Sequence, residues 1–156
     1  MKGVLLDTNV VSASSPLRAG ESAPALRQWL LERSHALHLP AVAIGEIRSG
    51  VEAARARGQA RKAEALDRWL SQLALVFAGR ILAVDLRVAD LSGVLLQRAR
   101  AAGHEVGWID AQIAATATAH DLLLLTRNAR HFAPLGVDFR DPFVEDVATL
   151  DGLLEG

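Results

Sequence analysis

The chain has 156 residues, 51% of them hydrophobic and 22% charged, and a formal net charge of −1. This size and balance fit one folded domain and exclude a disordered chain. The sequence contains no cysteine, which excludes a disulfide framework and thiolate metal sites. The apolar run before Asp7 is too short for a signal peptide, and no stretch reaches the roughly 20 apolar residues of a membrane span. We therefore expect a cytoplasmic protein that does not enter a membrane.

Short apolar runs alternate with longer amphipathic stretches through the first half of the chain. Continuous apolar runs predict buried strands, and apolar residues at helical spacing predict helices. Ser22 is the predicted cap of the first helix, since Pro24 follows it at a first-turn position. The predicted elements are a strand at 4–6, a loop at 12–22, a helix to about 34, a strand at 37–39, and helices at about 41–57 and 61–76.

The second half continues the same alternation. Its predicted elements are a strand at 81–84, a helix from Asp85 to 102, a helix from Asp110 to about 120, and strands at 122–125 and 137–139. The tail after Pro142 is predicted to be helical or loosely docked. Short strands separated by helices indicate parallel βα units. The predicted fold class is α/β: a three-layer α/β/α domain with a short-stranded, mostly parallel sheet flanked by helices. It spans 1–156 as a single domain, with a core at about 3–142 and a C-terminal tail at 143–156.

Three acidic residues stand where this topology would bring them together. Asp7 follows the first strand, Asp110 opens a helix, and Glu46 lies one to two turns into the helix after the second strand. Functional groups of open α/β sheets gather beyond the carboxyl ends of the strands. Clustered carboxylates without cysteine or a histidine motif suit a hard cation such as Mg²⁺ or Mn²⁺, which is a common device for phosphoryl chemistry.

Each of these residues also has an ordinary structural interpretation. Asp7 and Asn128 are typical of turns after a strand, Asp110 of a helix N-cap, and Glu46 of a solvated helix face. Periodicity alone leaves both interpretations open, and the shared sheet edge favours a site.

The basic residues that follow Glu46 form a run that is typical of a solvated helix face. Arg127 and Arg130 lie nearer the predicted site, so they are the better candidates for contacts with substrate phosphates. The five histidines show no metal-ligand spacing, and the three tryptophans are typical of core or interface positions. The basic run consists of Arg48, Arg55, Arg57, Arg61 and Lys62.

Four segments stand out in order along the chain: VLLDTNV at 4–10, IGEIRSG at 44–50, DAQIAATA at 110–117 and LLTRNARHF at 124–132. Together they resemble the PIN-domain proteins, specifically the ribonuclease toxins of the VapC/FitB type in bacterial type II toxin–antitoxin systems. The last two are fairly specific, and the resemblance covers the chain to about Pro142.

The resemblance implies an assignment for the site residues. Asp7, Glu46 and Asp110 would be the acidic active-site residues, and Asp7 and Asp110 the main Mg²⁺ ligands. Hydrogen bonds from Thr8, Thr126 and Asn128 would support them. Many PIN domains carry a fourth acid in the segment after the last long strand, but here the corresponding positions are Asn128 and His131. Fewer carboxylates weaken a second metal site.

The resemblance also implies the reaction and the partners. We expect a metal-dependent endoribonuclease that hydrolyses RNA phosphodiester bonds and uses Mg²⁺ or Mn²⁺. We expect a homodimer, a cognate antitoxin protein, and contact with DNA only through the antitoxin complex.

Two other functions remain open at this point. One is a catalytically weak PIN scaffold that acts mainly as a partner-binding or DNA-repression subunit. The other is an Asp-based phosphotransferase of the haloacid-dehalogenase kind. That family requires a second Asp two residues after the first, where this chain has Asn9.

Overall fold

The computed structural model describes residues 3–18 and 23–155. Within these ranges, five short strands form one sheet in the order β3-β2-β1-β4-β5, and every neighbouring pair is parallel. The central pair has the register Val4 to Leu123 and Leu6 to Leu125. The strands are β1 Val4–Leu6, β2 Leu37–Pro40, β3 Ile81–Leu82, β4 Leu123–Leu125 and β5 Phe139–Arg140.

Eight α-helices and four 3₁₀ turns accompany the sheet in the described ranges. The helices are α1 Thr8–Val11, α2 Pro24–Glu32, α3 Ala41–Ala56, α4 Ala60–Val76, α5 Leu86–Ala101, α6 Trp108–Ala119, α7 Ala129–Phe132 and α8 Val147–Glu155. The 3₁₀ turns are Ser12–Ser14, Pro16–Arg18, Ser34–Ala36 and Ala133–Leu135. None of these helices combines the length and apolar character that crossing a lipid bilayer requires.

The sheet separates two hydrophobic clusters because successive strand side chains point to opposite faces. Val4 and Leu6 belong to the cluster that includes α2, α4 and α8. Leu5 and Leu124 belong to the cluster on the other face, which includes α5 and α6. The result is a three-layer α/β/α arrangement, as predicted.

A short helix precedes the predicted loop at 12–22, and the described part of that loop contains two 3₁₀ turns. Thr8–Val11 form the helix, and Ser12–Ser14 and Pro16–Arg18 form the turns. Helix α1 forms because the Asp7 carboxylate caps it, accepting a hydrogen bond from the Thr8 backbone N–H. The predicted helix cap, Ser22, lies outside the described residues.

Strands β3 and β5 and helix α6 have other bounds than the sequence pattern predicts. Strand β3 is shorter, at Ile81–Leu82, and β5 lies at Phe139–Arg140 instead of 137–139. Both are edge strands, whose length is set by pairing with a single neighbour. Helix α6 begins at Trp108 with Gly107 as its N-cap, so Asp110 is not the cap.

The C-terminal segment forms a helix that packs into the core. Leu150 and Leu154 of α8 are buried in the same cluster as Trp29. Asp151 accepts hydrogen bonds of 2.8 Å from Trp29 Nε1 and from Arg33 Nε. Helix α8 is therefore fastened to α2 by apolar and polar contacts together.

Candidate active site

The centre of the candidate site is Asp7, at the carboxyl end of β1. The chain continues from β1 towards β2 on one side and pairs with β4 on the other, so Asp7 lies where the strand order reverses. This is the usual position of a site in an open α/β sheet. The Asp7 backbone N–H donates to the Leu125 carbonyl at 3.0 Å, which extends the pairing of β1 with β4 to the site itself.

The carboxylate of Asp7 is 4% exposed and is held by three donors. Oδ1 accepts from the Thr8 backbone N–H at 2.7 Å, and Oδ2 accepts from Asn9 Nδ2 at 3.0 Å and from Thr126 Oγ1 at 2.7 Å. Three donors fix the orientation of a carboxylate that has almost no access to bulk water. Such a group is rigid before any ligand arrives.

Burial raises the pKa of Asp7 above its ordinary value. The hydrogen bonds from Thr126 and Thr8 act in the opposite direction, while the negative charges of Asp110 and Glu46 raise the pKa further. Burial and repulsion outweigh the hydrogen bonds from Thr126 and Thr8, so the ionised form of Asp7 lacks a positive charge to balance it. The same result shows that Asp110 and Glu46 are close enough to act on Asp7.

Glu46 faces this centre from the second turn of α3. Its Oε1 accepts a hydrogen bond of 2.5 Å from Thr8 Oγ1. Thr8 therefore contacts two acids, Asp7 through its backbone N–H and Glu46 through its hydroxyl. Glu46 is half-buried and hydrogen-bonded, so the alternative of a freely solvated helix acid does not apply.

Asp110 lies in the first turn of α6, and its side chain is 25% exposed. The N-terminal end of a helix carries partial positive charge, which favours a carboxylate there. Its Oδ2 lies 3.1 Å from Nδ1 of His131. Asp110 thus reaches the site from a different layer than Glu46.

The turn after β4 provides a further hydrogen bond to Asp7 and others that fix the surrounding backbone. Thr126 is fully buried, and its hydroxyl donates to Asp7 and accepts from the Asn128 backbone N–H at 3.0 Å. The Arg127 backbone N–H donates to Asn9 Oδ1 at 3.2 Å. Asn128 contributes here through its backbone, whereas the prediction did not specify which of its atoms would act.

His131 is the contact that the sequence analysis did not anticipate. It found no ligand spacing among the histidines and gave His131 no role, yet the ring of His131 touches Asp110. The available signal was its place five residues after Thr126, on the same turn. A pattern search for histidine pairs could not detect it, because its partner is an aspartate 21 residues earlier in the sequence.

The two candidate substrate-binding arginines lie on this same segment and are exposed. The Arg127 guanidinium stacks over the Phe143 ring, 3.6 Å from the ring centroid. Arg130 lies on α7, next to His131.

The basic run after Glu46 behaves as a solvated face. Arg48 and Arg55 both form ion pairs with Glu52 and Asp67. Trp29 and Trp69 are buried, which confirms their prediction as core residues. Trp108 is 55% exposed, so it is not a core residue, and its alternative assignment to an interface stays a prediction. Its position at the first residue of α6 leaves it outside the layer that α6 buries.

The oxygen donors of this site fit a hard cation that takes few of its ligands from the protein. In the described part of the chain, no three Asp, Glu, His or Cys side chains form a ready-made metal cage. Mg²⁺ commonly uses one or two carboxylates and keeps several waters, so a cage is not required. Asp7 and Asp110 offer carboxylate oxygens from two different elements, and the raised pKa of Asp7 marks the charge that a cation would offset.

Comparison with known proteins gives the family. The PIN-domain family model matches residues 4–136. A VapC ribonuclease from Sinorhizobium fredii is 32% identical over 141 residues, covering 90% of this chain and 97% of that protein. The toxin FitB from Neisseria gonorrhoeae is 34% identical over 141 residues, covering 90% and 98%.

Solved structures agree with the sequence comparisons. The crystal structure of FitAcB from Neisseria gonorrhoeae matches with a TM-score of 0.75 at 32% identity, over 91% of this chain and 99% of that one. A toxin–antitoxin complex from Klebsiella pneumoniae matches with a TM-score of 0.58 at 25% identity, over 83% and 90%. The chain therefore belongs to the PIN-domain family, and its relatives there are toxins of the VapC and FitB type.

Proposed function

We propose that this protein is a metal-dependent endoribonuclease and the toxin of a toxin–antitoxin pair. The observation that carries the proposal is the buried, triply hydrogen-bonded Asp7, whose pKa is raised by burial and by the nearby charges of Asp110 and Glu46. A fold does not gather acids around a buried carboxylate for stability, because repulsion and desolvation both oppose it. The names of the VapC and FitB relatives support the same function.

The proposed reaction is hydrolysis of an RNA phosphodiester bond by water. Mg²⁺ or Mn²⁺, held by Asp7 and Asp110, would lower the pKa of a bound water and offset charge on the phosphate oxygens. Glu46 would orient the attacking water or accept its proton, and the hydrogen bond from Thr8 Oγ1 would hold the Glu46 carboxylate for this role. Thr126 favours the ionised form of Asp7 by donating to it. Arg127 and Arg130 would contact substrate phosphates at the rim.

The proposed partners are a cognate antitoxin and a second copy of the chain. The Klebsiella pneumoniae neighbour was solved as a toxin–antitoxin complex, which supports the first. A FitAB structure bound to a DNA fragment, at 31% identity, supports contact with DNA through such a complex.

A groove between α2 and α4 supports the homodimer. Leu31 and Val76, which line it, are 69% and 50% exposed, and Leu75, the residue before Val76, is 77% exposed. Side chains of this size are usually covered when they are contiguous. The groove has a volume of about 180 Å³ and is lined mainly by Leu30, Leu31, Trp69, Leu73, Val76 and Phe77.

A cleavage assay on single-stranded RNA tests the proposed activity. We expect cleavage with Mg²⁺ or Mn²⁺, none in excess EDTA, and no requirement for Zn²⁺, because the ligands are oxygen atoms. Asp110→Asn should reduce the rate at least about 100-fold, the scale on which loss of a key electrostatic group acts. Asp90→Asn is the matched control, since Asp90 is an exposed acid on α5.

Cleavage that persists in excess chelator would end the metal hypothesis. A wild-type protein that binds its partner but does not cut RNA with either metal would support the scaffold function instead.

A further inference from the structure

We propose that His131 is a positioning residue that fixes the Asp110 carboxylate for cation binding. The inference rests on the proposed function, because it assigns His131 a role at the same metal site. The observation behind it is the 3.1 Å contact between His131 Nδ1 and Asp110 Oδ2.

The contact determines which nitrogen carries the hydrogen. An ionised carboxylate only accepts hydrogen bonds, so Nδ1 of His131 must be the donor. Nδ1–H donating to a carboxylate fixes the orientation of both groups, and this use of a ring nitrogen recurs around metal sites. The Asp110 and His131 side chains are 25% and 39% exposed, so the pair lies at the mouth of the site, whereas Asp7 lies at its floor.

The backbone around His131 is well anchored. Phe132, the next residue, is fully buried in the core cluster that contains α6. The His131 backbone N–H donates to the Asn128 carbonyl at 2.9 Å, and Asn128 N–H donates to Thr126 Oγ1 at 3.0 Å. The imidazole therefore extends from a short helix that cannot easily shift relative to β4.

The segment from Thr126 to His131 therefore contacts both proposed metal ligands through hydrogen bonds. Thr126 donates to Asp7, which follows β1, and His131 donates to Asp110, which belongs to α6. The turn from β4 into α7 thus sets the separation and the relative orientation of two carboxylates that come from different elements.

Fixing these carboxylates matters because so few ligands are available. With two carboxylates, a misdirected Asp110 removes a large share of the protein's contribution to the ion. Loss of a partner that orients a ligand typically weakens metal affinity about 10- to 100-fold. We expect a loss of about 10-fold here, since the His131–Asp110 pair is partly exposed.

Three substitutions at position 131 separate the possible roles of the ring. His131→Asn keeps an N–H group close to the place of Nδ1, His131→Gln carries its amide close to the place of Nε2, and His131→Ala removes both. His104→Ala is the control, since His104 is an exposed histidine outside the site. The measurement is Mn²⁺ affinity by electron paramagnetic resonance on the purified full chain without RNA, with the melting temperature confirming that each variant is folded.

We expect His131→Ala and His131→Gln to bind Mn²⁺ about 10-fold more weakly than wild type, and His131→Asn and His104→Ala to remain within about 3-fold. Retention of affinity in His131→Gln with loss in His131→Asn would overturn the positioning role, since the ring would then act through Nε2. Wild-type affinity in His131→Ala would overturn it as well.

Asp110→Asn in the same titration distinguishes this inference from the proposed function. If Asp110→Asn loses Mn²⁺ and His131→Ala does not, only the role of His131 fails. If Asp110→Asn also keeps wild-type affinity, Asp110 is not a ligand and the proposed metal site fails with it.

Discussion

Thr126 and Asp7 are 119 residues apart in the sequence, yet Thr126 Oγ1 donates to Asp7 Oδ2 over 2.7 Å. The hydroxyl is fully buried, and the carboxylate nearly so. The parallel pairing of β1 with β4 brings them together, because both residues follow directly on the paired strands. The buried hydroxyl avoids the cost of an unmade hydrogen bond by donating to Asp7, and this donation favours the ionised form of the carboxyl group.

Replacing Thr126 tests this relationship. Thr126→Val keeps the shape but removes the donor, which raises the pKa of Asp7 further and leaves the Asn128 N–H without its acceptor. We expect the free energy of unfolding to fall by about 1–2 kcal/mol and RNA cleavage to fall with it. Thr126→Ser retains the hydroxyl and should stay close to wild type in urea unfolding and in the cleavage assay. Equal behaviour of the two variants would show that the hydroxyl is unimportant.

The raised pKa of Asp7 predicts a specific pH dependence of stability. Without metal, the folded protein holds the Asp7 proton to higher pH than the unfolded chain, whose Asp titrates near its ordinary value of about 3.9. Between these two values the folded state binds more protons, so rising pH destabilises the wild type relative to a variant that cannot ionise. Asp7→Asn is such a variant, and it should also abolish cleavage.

Urea unfolding of wild type and Asp7→Asn in EDTA, over a pH series, measures this dependence. The stability of Asp7→Asn relative to wild type should rise with pH and level off above the raised pKa. At neutral pH, we expect Asp7→Asn to be at least as stable as wild type, since the replacement relieves repulsion from Asp110 and Glu46. A variant that fails to fold would indicate that the capping of α1 by Asp7 dominates instead.

The sequence predicts the layers and the edge on which the acids meet, because both depend on local signals. Apolar runs such as Leu123–Leu125 mark buried strands, and residues after strand ends are brought together by any parallel sheet. The pattern does not predict the His131–Asp110 contact or the exact ends of β5. These depend on how α7 packs and on pairing with a single neighbour, which no local pattern encodes.

Trp108 is another residue whose surroundings the sequence does not fix. Its residue type is typical of a core or an interface, but its place at the first turn of α6 leaves it 55% exposed. Composition describes what a side chain favours, while the position of a helix end decides whether that preference is met.

Arg127 offers a prediction about substrate affinity. Stacking on Phe143 covers one face of the guanidinium and leaves its in-plane N–H groups available for phosphate oxygens. Arg127→Lys keeps the charge but loses the planar face, so the charged group is no longer held against the Phe143 ring. We expect KM for RNA to rise about 3- to 10-fold, the scale of one lost contact, with little change in kcat.

Phe143→Leu should reproduce the effect of Arg127→Lys, and the two changes together should add little. Arg61→Lys is the control, because Arg61 is exposed on α4, away from this segment. A rise in KM for Arg61→Lys equal to that for Arg127→Lys would indicate a general effect of replacing arginine by lysine, and not loss of the stack on Phe143.

The packing of α8 predicts that the C-terminal segment is needed for stability. Leu150 is 1% exposed in the main core cluster, so Leu150→Ala should lower the free energy of unfolding by about 2–4 kcal/mol. Val144 is 80% exposed, and Val144→Ala should change it by less than about 0.5 kcal/mol. Denaturant unfolding compares the two, and equal values would mean that α8 is not docked in solution.

The uncompensated charge around Asp7 predicts how an antitoxin would silence the enzyme. An Arg or Lys side chain from the partner can take the place of the cation among Asp7, Glu46 and Asp110, since it balances the same charge. Partner and metal would then compete for one site. By linkage, the apparent Kd of the partner should rise in proportion to Mg²⁺ once the ion exceeds its own Kd.

Titration of partner affinity against Mg²⁺ at constant ionic strength measures this competition. A sodium salt at matched ionic strength is the control, because screening alone also weakens charged contacts. Asp110→Asn should reduce the Mg²⁺ sensitivity of partner binding, and Asp90→Asn should leave it unchanged. If partner affinity is flat across the Mg²⁺ range in the wild type, the antitoxin blocks RNA access elsewhere, and its basic side chain does not enter the site.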